Sequence, residues 1–136
     1  VIDYKTEDYK SIVKDVDIVF DTLGQNYSIE SFEVVKQGGI VVSVVGPLDE
    51  ASAKMFGMAD YKLPEELAKA SSDKDAVYKF IFMHPNGAHL NEIKSMIEDE
   101  KIKPIIDKVY PFSESIEAFT HLASGRAKGK IVVKIN

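Results

Sequence analysis

The 136-residue chain contains no cysteine and no tryptophan. Without cysteine, these residues build no disulfide framework, no thiolate nucleophile and no zinc–sulfur site. Positive charge is also in short supply: 17 Lys and Arg stand against 22 Asp and Glu, a formal charge of −5 at pH 7. A nucleic-acid binder normally carries a basic patch or stripe, so nucleic acid is not an expected partner. Long apolar runs are missing as well, none approaching the roughly 20 residues that span a bilayer, so no membrane partner is expected. No signal-peptide pattern opens the sequence, and the expected location is cytoplasmic. The first residue is Val1, not Met, at the head of a short extended stub, Val1-Ile2-Asp3-Tyr4.

What is present is an ordinary globular mixture. Hydrophobic residues make up 45% and charged residues 29%, enough apolar material for one domain with a core. Thr6 followed by Glu7 and Asp8 predicts a capped helix running to Val13. Val16 to Phe20 is a five-residue apolar, β-branched run of the kind found in strands covered on both faces. It ends in Asp21-Thr22-Leu23-Gly24. Ile29, Phe32 and Val35 then recur at helical spacing up to Gly38-Gly39, and Ile40 to Val45 reads as a second buried strand closed by Gly46-Pro47. Residues 48–75 read as an insertion or lid with a short helix from Glu65 to Ala70. Tyr78 to Met83 is a third strand, broken by His84-Pro85-Asn86-Gly87.

Leu90, Ile93 and Ile97 mark the next helix, Ile105 to Tyr110 another strand. Ser113 is the expected cap of a last helix bearing Ile116, Phe119 and Leu122, and Ile131 to Ile135 closes the chain as a strand. The alternation of strands and helices predicts an α/β fold: helices packed on a parallel sheet.

In open parallel sheets ligands sit beyond the carboxyl ends of the strands. Three such ends occur here, at Thr22-Leu23-Gly24, Val45-Gly46-Pro47 and Met83-His84-Pro85. Glycine at two of them allows a ligand close to the backbone, or simply makes a turn. His84, His89 and His121 lack metal-ligand spacing; His84 follows a strand and could line a pocket, whereas His89 and His121 read as surface helix residues. No G-x-S-x-G elbow is present. Gly125-Arg126-Ala127-Lys128-Gly129-Lys130 sets three cations between and after two glycines. It is either an exposed basic turn or a phosphate contact through Arg126 and Lys130.

Three stretches carry a resemblance: Val-Ile-Asp-Tyr at 1–4, Val-Asp-Ile-Val-Phe-Asp-Thr-Leu-Gly at 16–24 and Gly-Gly-Ile-Val-Val-Ser-Val-Val-Gly at 38–46. Lys-Pro-Ile-Ile-Asp at 103–107, Glu117-Ala118-Phe119 and Gly129-Lys130 follow in order. Together they resemble the C-terminal portion of the medium-chain dehydrogenase/reductase superfamily, with the nearest likeness to its zinc-independent, NADPH-using quinone oxidoreductase branch. The resemblance implies a partial Rossmann-type parallel sheet flanked by helices, with a C-terminal helix and strand. It also implies that 1–136 is a single domain, the later half of a cofactor-binding domain plus a return segment. A catalytic domain and a glycine-rich βαβ unit would precede Val1.

Carried residue by residue, the resemblance implies NADPH contacts. Tyr4 would lie near the adenosine 2′-phosphate, Leu23 and Gly24 along the ribose, and Val45 and Gly46 near the nicotinamide. Phe82 and Met83 would lie over the nicotinamide, and Arg126 or Lys130 would reach the cofactor from the C-terminal side. It implies hydride transfer to a quinone or enone, a homo-oligomer, and weak or no cofactor binding by this chain alone. No catalytic residue and no metal ligand are assigned. Two other readings stay open: a non-catalytic nucleotide-binding or scaffold relative of the same fold, and a self-contained flavodoxin-like binding domain, complete at Val1 with a covered sheet. Truncation would instead leave an apolar sheet edge and face exposed.

Overall fold

β-Branched and aromatic residues suit a pleated surface, and Val16–Asp21 forms the first strand, β1, of the computed structural model, which describes residues 1–135. The chain divides into two compact units, Val1–His84 and Pro85–Asn136. In the first, α1 (Tyr9–Ile12), β1, α2 (Asn26–Val34), β2 (Val35–Ser43), α3 (Glu50–Met55), α4 (Glu65–Asp73) and β3 (Val77–Phe80) follow one another. All pairings are parallel in the order β1-β2-β3. The second unit holds α5 (Gly87–Glu98), β4 (Ile106–Pro111), a 3₁₀ turn (Phe112–Glu114), α6 (Ser115–Ala123) and β5 (Lys130–Lys134), with β4 and β5 parallel. The α/β class with parallel strands flanked by helices is therefore observed.

The core of the first unit lies on one face of its sheet. Phe32, Val35, Val41, Leu67, Ala76 and Tyr78 are buried together, with Val19, Ile29, Leu63 and Ala70 packed against them. Residues 19 and 41 sit side by side in the register, as do 41 and 78, so one row of alternate side chains meets α2 and α4. The other row does not: Ile18 and Phe20 are each 63% exposed and Val77 46%. The expectation that the first strand is covered on both faces thus fails, because both core-forming helices of this unit lie on the same side.

Local signals also resolved differently. The first helix is capped by Asp8, whose side chain accepts from the Lys10 N–H, and not by Thr6. Gly38-Gly39 is not a helix stop. The chain turns from helix to strand at Val35, and the pairing jumps from Val16↔Val35 to Ile18↔Ile40, placing both glycines at a bulge. A Cβ on Gly39 would fall 2.5 Å from Val35 Cγ2, 2.9 Å from the Asp17 carbonyl oxygen of β1 and 3.0 Å from the Lys36 carbonyl oxygen, so the bulge and the close approach of β1 together require glycine. The expected lid supplies α4, whose Leu67 is 1% exposed, and is therefore part of the packed body. Asp49 caps α3, accepting from Ser52 N at 2.7 Å, while its other oxygen accepts from Phe80 N at 3.0 Å and ties this segment to β3.

In the second unit, Asn86 caps α5 through bonds from Ala88 N and His89 N. Ser113 does not cap α6; it lies in the 3₁₀ turn that precedes it. His121 is no free surface residue: its Nδ1 lies 3.1 Å from the buried Tyr110 hydroxyl and its Nε2 3.4 Å from Asp107. These contacts fasten α6 to β4. The apolar stripe of α5 exists as the periodicity required, yet Leu90 is 67% and Ile93 46% exposed.

Candidate functional site

At the carboxyl ends of β1 and β2, Asp21 and Ser43 are register partners. Asp21 is 5% exposed although it carries a charge. Its Oδ1 accepts from Leu23 N and Gly24 N, both at 2.9 Å, and its Oδ2 accepts from the Ser28 hydroxyl at 2.6 Å. This is an Asx-type turn, in which a short acidic side chain bonds the backbone just ahead of it. Ser43 organises the neighbouring end: its hydroxyl oxygen accepts from Val45 N at 3.3 Å and Gly46 N at 3.2 Å, and it lies 3.2 Å from the Gly46 carbonyl. Tyr78 donates its hydroxyl to the Pro47 carbonyl at 2.7 Å.

The two turns touch. Gly24 has φ 71°, and a Cβ there would stand 2.9 Å from Val45 Cγ2 and 3.3 Å from the Gly46 carbonyl oxygen. Gln25, which precedes α2, has φ 54° and ψ −130°, a conformation that non-glycine residues adopt at a cost of roughly 1–3 kcal/mol. Two clefts flank this edge. One, of about 400 Å³, is lined by Gln25, Ile29, Val45, Gly46, Pro47, Pro64 and Leu67. The other, of about 540 Å³, is bordered by Tyr4, Tyr9, Phe20, Leu23 and Tyr27. Burial and the nearby Glu30 carboxylate push the Tyr9 phenol up to about 12, so it remains a neutral hydroxyl at ordinary pH.

Burial raises the Asp21 carboxyl, but the hydrogen bonds from Gly24, Ser28 and Leu23 outweigh it and leave the group below the usual carboxylate range. Asp49 behaves alike, burial being outweighed by bonds from Phe80 and Ser52, with Lys79 adding attraction. Both folded values are depressed, so the stability they contribute is fully present above the unfolded value of about 3.9 and is lost as pH falls below it. Thermal melts followed by circular dichroism are expected to show a falling midpoint below about pH 4. An Asp21→Asn, Asp49→Asn double variant should have a lower midpoint at neutral pH and a flatter acid limb.

Of the residues singled out in the sequence, Tyr4 and Leu23 share one cleft, and Val45 and Gly46 line the other, with Gly24 at the contact between the two turns. Phe82 and Met83 follow β3. Phe82 packs edge-on against Phe56, with ring centroids 5.2 Å apart, and lies 5.9 Å from the His84 ring. Arg126 and Lys130 belong to the second unit, Arg126 in the connection after α6 and Lys130 opening β5, and both are exposed. Sequence reading missed Asp21, Ser28 and Ser43. The available signal was the Asp-x-x-Gly spacing after an apolar strand. Among the described residues, no group of three or more His, Asp or Glu is arranged to hold a metal ion.

A family described as zinc-binding dehydrogenase matches residues 1–133. The chain is 29% identical over 134 residues to 2-methylene-furan-3-one reductase of Solanum lycopersicum, covering 97% of this chain and 27% of that protein. It is 28% identical over 145 residues to the mitochondrial NAD(P)H oxidoreductase RTN4IP1 of Bos taurus, covering 99% of this chain and 36% of that one. The chain thus spans well under half the length of these relatives. The quinone oxidoreductase structure from Coxiella burnetii shares the fold with a TM-score of 0.77 at 22% identity, over 99% of this chain and 38% of that one. Matched along almost its whole length, the chain belongs to the zinc-binding dehydrogenase family, within the medium-chain dehydrogenase/reductase superfamily.

Proposed function

We propose that this chain contributes part of a nicotinamide-dinucleotide site to an oxidoreductase that transfers hydride from NADPH to a quinone or an activated alkene. The observation that carries this reading is the pair of glycine-bearing turns in contact at the carboxyl ends of adjacent parallel strands, where open α/β sheets bind their ligands. Relatives named as NAD(P)H oxidoreductase and as NADPH-dependent alkenal/one oxidoreductase support the cofactor and acceptor classes.

The hydrogen bonding refines which part of the cofactor fits. The Leu23 and Gly24 amides are already committed to Asp21, so this turn offers them to no phosphate. A buried carboxylate beneath the turn also disfavours an anion there. Both points support a neutral ribose against Leu23 and Gly24. Val45 and Gly46 would border the nicotinamide, Phe82 and Met83 would cover it, and Tyr4 would lie toward the adenosine. Arg126 and Lys130 are candidates for the cofactor's anionic groups on charge alone. A bound nicotinamide supplies the hydride itself; these residues orient the ring and exclude water, and none is assigned a proton-transfer role.

The test is NADPH consumption by the complete natural polypeptide, with and without a soluble quinone. Quinone-dependent loss of NADPH absorbance is the expected result, with slower loss when NADH replaces it. Dinucleotide binding without turnover would instead indicate a non-catalytic nucleotide-binding relative. No binding of either dinucleotide overturns the proposal.

A further inference from the structure

We infer that Asp21 is a positioning residue: with Ser28 and Ser43 it latches the Leu23–Gly24 and Val45–Gly46 turns at one separation, preforming the edge that meets the dinucleotide. The ligand's identity rests on the function proposed above; the latch rests on geometry alone. Three donors converge on one buried carboxylate, and each of its hydrogen-bond partners is uncharged. Ser28 and Ser43 are both fully buried. Burying a carboxylate with no cation is costly unless its oxygens are satisfied by donors, and here two oxygens receive three bonds.

With Ser28 donating to it, position 21 acts purely as an acceptor. An asparagine has one acceptor oxygen and one NH₂. If its oxygen kept the Leu23 and Gly24 amides, its NH₂ would face the Ser28 hydroxyl that now donates to Asp21. That hydroxyl has one proton and a second acceptor within reach, the Gly46 carbonyl at 3.3 Å. Losing the Asp21 acceptor would therefore turn Ser28 toward the second turn and disturb it. The backbone links the same two ends, since Val44 N donates to the Asp21 carbonyl at 3.1 Å. Contact between the Gly24 backbone and Val45 makes any change in separation felt at once.

The experiment is an amide NMR titration of the ¹⁵N-labelled chain with NADPH, comparing wild type, Asp21→Asn and the milder Ser28→Ala well below their melting temperatures. In the free protein, Asp21→Asn is expected to shift the amides of both turns, Leu23 and Gly24 together with Val45 and Gly46, and to speed Gly24 hydrogen exchange about tenfold, the loss of about 1.4 kcal/mol. Amides of β5 should not move. The NADPH dissociation constant should rise about tenfold in Asp21→Asn and less in Ser28→Ala.

Asp21→Asn binding NADPH within twofold of wild type, or shifting only Leu23 and Gly24, overturns the latch. If wild type shows no NADPH-induced shifts, this chain alone does not hold the dinucleotide, and the cofactor reading is decided on the complete polypeptide. The free-state amides then still decide the latch: coupled movement of both turns supports it, and unmoved Val45 and Gly46 refute it.

Discussion

Leu67→Ala is expected to lower the stability of the first unit by about 2–5 kcal/mol, the range for truncating a buried leucine. Leu67 heads the fully buried side chains, at 1% exposure, and joins α4 to the cluster of Phe32, Val35, Val41 and Tyr78. The loss has two parts: the transfer free energy of the removed carbons and the cavity they leave. Relaxation is limited because the strands behind the site are pinned by parallel pairing on both sides of β2. Urea unfolding followed by circular dichroism measures the change. Leu90→Ala, at a 67% exposed position on α5, provides the comparison and should stay within about 0.5 kcal/mol of wild type. A Leu67→Ala loss as small as the roughly 0.5 kcal/mol expected of an exposed position would show that Leu67 does not anchor the core.

Gly24→Ala is expected to damage both stability and dinucleotide binding, and Gly38→Ala separates the causes. The two glycines have nearly the same backbone angle, φ 71° and 73°, so each substitution carries the left-handed penalty of about 1–2 kcal/mol. Gly38 has open space where a Cβ would go, whereas at Gly24 the new carbon lies 2.9 Å from Val45 Cγ2 and 3.3 Å from a carbonyl oxygen. Overpacking adds about 1–3 kcal/mol at Gly24 alone. Chemical denaturation of the two variants should therefore differ by that increment. NADPH affinity should fall about tenfold or more in Gly24→Ala and stay near wild type in Gly38→Ala. Equal affinities in the two variants would remove Gly24 from the proposed site.

The order of strands and helices was legible because its signals are local. Short apolar β-branched runs such as Val16 to Phe20 and helical spacings such as Leu90, Ile93 and Ile97 announce their own conformations. Boundaries were less legible. Val35 looked like the last turn of a helix, but pairing with Val16 drew it into β2, and a long-range hydrogen-bond ladder outweighs one residue's place in a helical pattern. Ser113 looked like a cap, yet a 3₁₀ turn occupies its segment.

Leu23, Gly24, Val45 and Gly46 were recognisable as strand-end turn residues from sequence. The pairing of Asp21 with Ser28 was not, because a carboxylate seven residues from a serine acquires meaning only when β1 and α2 fold back on each other.

By itself, then, the sequence determined the α/β class, the glycine-bearing strand ends and the family resemblance, all properties of neighbouring residues. The tertiary structure decided which face of the sheet is buried, why Gly39 must be glycine, and that Asp21 and Ser43 stand side by side beneath the two turns. Those depend on contacts between segments far apart in the chain, which no local pattern encodes.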